Sequence, residues 1–123
     1  MLSDYPNVYA GQRMNLGETL LRYGDRDNAM RQFNEVISLG SETQMSKAYS
    51  YIGLIDLFNK KCADALTAFT DAQQALNPID DNLLYESITY RDCVRDVKKA
   101  DELLRAYRLL KGSSDTQLEQ GPQ

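Results

Sequence analysis

Between Leu16 and Val36 the apolar and small residues fall at helical spacing twice, with a polar break between the two runs. Leu16, Gly17, Leu20 and Leu21 share one side of a helix expected over about 10–23, and Ala29, Phe33 and Val36 recur on a second over about 25–39. Gly24-Asp25 supplies a stop and a new start, with Asp25 or Asp27 placed to accept from free amide donors. Gly17 and Ala29 carry no bulky side chain, so helices crossing there approach closely while Leu20 and Phe33 fill the flanks. The stretch reads as one helical hairpin, a packing device with no reaction centre in it.

The pattern returns. Gly17 to Gly53, Ala29 to Ala65 and Phe33 to Phe69 are each 36 residues apart, and glycine precedes alanine by 12 in both units. Three residue types returning at one period mark a duplicated unit. Tyr49, Ile52, Gly53 and Leu57 stand in the places of Arg13, Leu16, Gly17 and Leu21. Gly40-Ser41 closes the first unit, and Ser41 with Gln44 has capping-box spacing. The next helices are expected from there to about Phe58 and over about 62–76, ending before Asn77-Pro78. A weaker third unit opens with a helix over about 81–95. Ala100, Leu104 and Tyr107 lie 35 residues after Ala65, Phe69 and Ala72, Asp96 takes the turn role of Asp25, and Ile88 stands where glycine stood. The expected organisation is a lead-in over 1–9, an all-α repeat domain over 10–111 and a disordered tail over 112–123. Its units span about 10–43, 46–79 and 81–112, with six to seven helices in all.

Composition narrows the chemistry. A chain of 123 residues with 26% charged residues suits one soluble domain, and a net charge of −4 argues against a nucleic-acid partner. Arg91, Arg95, Lys98, Lys99, Arg105 and Arg108 are interleaved with Asp92, Asp96, Asp101 and Glu102, the pattern of a solvated helical face. Histidine is absent, which removes the usual general base, nucleophilic dyads and most zinc or haem sites. No catalytic residue, metal or cofactor is therefore expected, and Asp80-Asp81 reads as a helix start rather than an acid/base pair. Cys62 and Cys93 form neither a CxxC pair nor a ligand cluster and read as reduced thiols of a cytoplasmic protein. The first residues show no basic segment followed by an apolar run, and the longest apolar stretch, Tyr51–Phe58, contains Asp56 and is too short to span a bilayer. Membrane insertion is not expected.

The pairs Leu16-Gly17 and Ile52-Gly53, the twelve-residue step from glycine to alanine, and the Ala-x-x-x-Phe that follows resemble the tetratricopeptide repeat family over about 10–112. Gly24-Asp25 and Asn77-Pro78 resemble its turn residues. Arg13 in place of an aromatic, Lys60-Lys61 in place of Gly-Asp, and a period of 35 to 36 depart from it. The resemblance implies a right-handed α-solenoid of three hairpins whose first helices line a concave groove. Carried onto this chain, the groove-facing places are Met14, Glu18, Leu21 and Arg22 in the first unit, Ser50, Leu54, Leu57 and Phe58 in the second, and Tyr85, Thr89, Asp92 and Cys93 in the third. The middle of that groove is apolar and suits an apolar helical or extended segment of a partner protein. Leu54 and Leu57 have a second reading, burial against neighbouring helices. Met14 and Glu18 stand where relatives that grip a carboxylate use lysine and asparagine, so that activity is not expected.

The last helix carries two apolar stripes, Val97, Ala100, Leu104 and Tyr107 on one side and Leu103, Ala106, Leu109 and Leu110 on another. A partner, a second copy of the chain or local burial would cover the second stripe, and Leu103, Ala106 and Leu110 are its candidate contact residues. The resemblance thus implies a non-enzymatic adaptor or chaperone, of which the small bacterial chaperones of type III secretion are one kind. The alternative is a scaffold that self-associates through its C-terminal helix.

Overall fold

Every element of the structure, a computed structural model describing residues 5–120 with side chains over 8–112, is helical; no strand occurs among the described residues. The helices are α1 (Tyr5–Arg22), α2 (Arg26–Leu39), α3 (Glu42–Phe58), α4 (Cys62–Gln74), α5 (Asp81–Ile88) and α6 (Val97–Gln120), with a π-helical segment (Thr89–Val94) after α5. Helix α1 starts earlier than expected, at Tyr5, and places Pro6 in its first turn, where a missing N–H leaves no helical bond unmade. Of the tail expected over 112–123, the side chains from 113 and all of 121–123 lie outside the described residues; the backbone of α6 is helical to Gln120. No described helix is long and apolar enough to cross a membrane.

The chain divides into two compact units, Met1–Ile79 and Asp80–Gln123. In the first, α1 packs on α2, α3 on α4, and α2 and α1 both touch α3. Each hairpin closes on a phenylalanine beneath a glycine. A Cβ added to Gly17 would stand 2.5 Å from the Phe33 ring, and one added to Gly53 would stand 2.5 Å from the Phe69 ring. Both rings are fully buried. Phe33 also stacks on Tyr51 of α3, with centroids 4.9 Å apart and planes 6° from parallel, which joins the first hairpin to the second. Ala10, Met14, Ala29, Val36, Ala48 and Ile55 complete the core around Phe33.

The turns repeat as closely as the crossings. Gly24 donates to the Leu21 carbonyl at 3.0 Å and Asp25 to the Leu20 carbonyl at 2.8 Å; Lys60 donates to Leu57 at 3.0 Å and Lys61 to Asp56 at 2.8 Å. Both pairs satisfy the last carbonyls of a helix through a residue of positive φ, 81° at Gly24 and 60° at Lys60. Lys60-Lys61 therefore adopts the Gly-Asp conformation without its chemistry. Asp25 accepts from the Asn28 amide at 3.2 Å, whereas Lys61, at the N-cap of α4, makes no side-chain cap bond. Arg13, standing where an aromatic was expected, instead reaches Glu35 of α2 at 3.1 Å. The expected capping box at Ser41 and Gln44 does not form: the Ser41 hydroxyl meets Thr43 Oγ1 at 3.2 Å, and no side-chain cap bond is made.

The second unit packs α5 and the π-helical segment against α6. Here the crossing is made by Ser87, not by Ile88. Ser87 is buried and donates its hydroxyl to the Ala100 carbonyl at 2.7 Å across a separation of 13 residues, while Ile88 stays half-buried. The π-helical segment explains the shift. A helix bonded i to i+5 holds one more residue in its turn, and Asp96 accordingly reaches back to the Tyr90 carbonyl, at 2.7 Å, through Arg95 at φ 68°. Counting 12 back from Ala100 misses this residue and lands on Ile88. Asp96 then accepts from the Lys99 amide at 3.1 Å, as Asp25 does from Asn28.

Candidate partner-binding cleft

An apolar cleft of about 220 Å³ opens in the first unit where the α1–α2 turn meets the C-terminal half of α3. Leu21, Gly24 and Arg26 form one wall; Tyr51, Leu54, Ile55 and Phe58 form the other. Tyr51, Leu54 and Phe58 lie at i, i+3 and i+7, one stripe of α3. Phe58 is 70% exposed, although a large aromatic ring gains most by burial. The Arg26 guanidinium covers it in part, 5.4 Å from the ring centroid. Burial holds the Tyr51 hydroxyl above its ordinary pKa, the nearby Glu18 adds to this, and Lys47 and Arg22 oppose it.

Three of the expected groove residues, Leu21, Leu54 and Phe58, thus meet in one cleft. Others do not reach open surface. Met14 is in the core, and Ser50 is buried on α3. Thr89 is fully buried and its hydroxyl donates to the Tyr85 carbonyl at 2.8 Å. A short side chain on a helix bonds its own preceding turn and adds nothing to a groove. Glu18 is paired with Lys47 at 3.1 Å, Arg22 is exposed, and Leu57 is half-buried. Tyr85, Asp92 and Cys93 belong to the second unit, Tyr85 half-buried and Asp92 paired with Arg91 at 3.1 Å. Neither Cys62 nor Cys93 is a free thiol, which corrects the expectation of reduced thiols.

No protein-family model, no curated protein and no solved structure matches this chain.

Sequence reading missed Gly24, Arg26, Tyr51 and Ile55. Tyr51 was open to detection through its helical spacing with Leu54 and Phe58; Arg26 reaches the cleft only because the hairpin folds its turn toward α3. Among the described residues no cluster of three or more His, Cys, Asp or Glu could hold a metal ion. On α6, Leu103 and Ala106 are half-buried, whereas Leu110 is exposed and Leu109 is 75% exposed.

Proposed function

We propose that this chain is a tetratricopeptide-like interaction module, a right-handed solenoid of three helical hairpins that binds an apolar helical or extended segment of a partner protein. The observation that carries the reading is the cleft with Phe58 at its mouth. A preformed, mostly apolar concavity beside an uncovered aromatic ring can bury an apolar side chain of another polypeptide, and each large side chain so buried contributes roughly 1.5–3 kcal/mol before ordering costs. The duplicated hairpins supply a rigid frame, because Phe33 and Phe69 lock both crossings. The job is that of an adaptor or a chaperone that shields an aggregation-prone segment, as the small chaperones of type III secretion do, and it requires no catalysis and no cofactor. The site of action under this reading is the cytoplasm.

Phe58→Ala and Leu54→Glu test it. Both variants are expected to lose the partner retained by the wild-type chain while keeping its helicity and melting temperature. Loss of fold in step with loss of binding contradicts the reading.

A second reading, a scaffold that self-associates through α6, is favoured by the exposure of Val97, Leu109 and Leu110. Light scattering separates the two: a scaffold gives an oligomer that Leu109→Glu and Leu110→Glu dissolve, and an adaptor gives a monomer that neither substitution changes.

A further inference from the structure

Resting on the reading of the cleft as a docking site, we infer that its occupant is an acidic amphipathic segment: an apolar anchor residue with a carboxylate within one helical turn, received by Arg26 and Arg22. Arg26, at the start of α2, lines the cleft and lies over Phe58, and Arg22, the last residue of α1, acts on Tyr51 of the opposite wall. No carboxylate among the described residues pairs with either of them. Arg13, Lys47, Arg91, Lys99 and Lys111 have carboxylate partners; what sets Arg26 apart from the other cations without one is its place in the wall of the cleft, over Phe58. Asp25, the acid between the two arginines in sequence, is taken by Asn28, its carboxylate accepting from the amide at 3.2 Å and from Nδ2 at 2.7 Å. Glu18, the carboxylate that acts on Tyr51, is neutralised by Lys47.

At the mouth of an apolar opening, Arg26 thus presents a guanidinium that no carboxylate among the described residues pairs with, in a chain whose net charge is −4. The planar fork of N–H donors on a guanidinium matches the two oxygens of a carboxylate. A segment whose anchor enters between Leu21, Leu54 and Phe58 therefore finds donors for an adjacent Asp or Glu, whereas an adjacent Lys or Arg meets like charge.

Two fluorescein-labelled synthetic peptides test this with the full chain. They share one Leu/Phe helical stripe and differ only in carrying glutamates or lysines beside it, and binding is read by anisotropy. The glutamate peptide is expected to bind roughly tenfold tighter at low salt, and the preference to shrink to about twofold or less at about 0.5 M salt. It is expected to shrink as far in the Arg22→Gln/Arg26→Gln variant, whose helicity and melting temperature should match wild type because both side chains are exposed. Phe58→Ala is expected to weaken both peptides. Equal binding of the two by the wild-type chain, or a preference that survives removal of both arginines, overturns the inference and leaves the cleft as a docking site. Binding of neither peptide overturns the docking reading and the inference together.

Discussion

Phe33 fills the space that a side chain on Gly17 would need, and Phe69 stands in the same relation to Gly53. In both cases the obstacle is the body of a fully buried ring, which cannot swing aside without opening the core. Gly17→Ala and Gly53→Ala are each expected to destabilise the chain by roughly 1–3 kcal/mol, seen as a lower denaturant midpoint at unchanged slope. Gly11, also in α1, is the control: an added Cβ meets nothing within 4 Å, so Gly11→Ala should be neutral or stabilising by up to about 1 kcal/mol.

Lys60 holds a left-handed conformation that Gly24 adopts without a Cβ penalty. Relief of that strain, less the greater freedom of glycine in the unfolded chain, should make Lys60→Gly stabilising by about 0.5–1 kcal/mol. Gly24→Ala is expected to cost about 1 kcal/mol. Thermal melts of the two variants should move in opposite directions.

Ser87, not Ile88, meets Ala100 in the second unit. Ser87→Ala removes one hydroxyl donor and is expected to cost about 1 kcal/mol. Ser87→Leu overfills the crossing and should cost roughly 1–3 kcal/mol, against less than about 1.5 for Ile88→Leu. Denaturant unfolding of the two leucine variants checks the order.

Two carboxyls are held above their ordinary range by burial. Asp56 on α3 is pushed up by burial and then by Asp64, with Lys61 opposing; Glu86 on α5 is pushed up by burial, with Lys99 and the Asn82 hydrogen bond opposing. A carboxyl whose folded pKa exceeds its unfolded value binds its proton more tightly when folded. Acidification through the folded pKa therefore adds stability, in full once the pH is below the unfolded values, near 3.8 for Asp56 and 4.5 for Glu86. Asp56→Asn is expected to stabilise the chain at neutral pH, by a margin that shrinks as the pH is lowered. Denaturant midpoints measured across that range give the sign.

The hairpins were legible because what makes them is recorded as residue size: a helix crossing that needs glycine, alanine and phenylalanine repeats them. The α-helical class followed from that alone. The third crossing was misplaced by one residue because a π-helical turn has no sequence marker, and counting at a fixed spacing passes over it. Lys60 shows the converse, a turn conformation kept after the residues that favour it have gone. In the second unit, Leu54, Leu57 and Phe58 stand out in the sequence because the other face of their helix already serves the core, whereas the burial of Met14 and Ser50 carries no such mark, since helical spacing alone does not say how far a core extends around a helix. Arg26 carried no signal, since its nearness to Phe58 is made by tertiary packing.

The central claim, that the cleft between the α1–α2 turn and α3 is where a partner segment docks, is tested most directly by titrating the isotope-labelled chain with an acidic amphipathic peptide and following amide resonances. The account predicts shifts concentrated at Leu21, Gly24, Arg26, Tyr51, Leu54 and Phe58, and lost in Phe58→Ala. Shifts concentrated along α6 between Val97 and Leu110, or no saturable shifts at all, would contradict it.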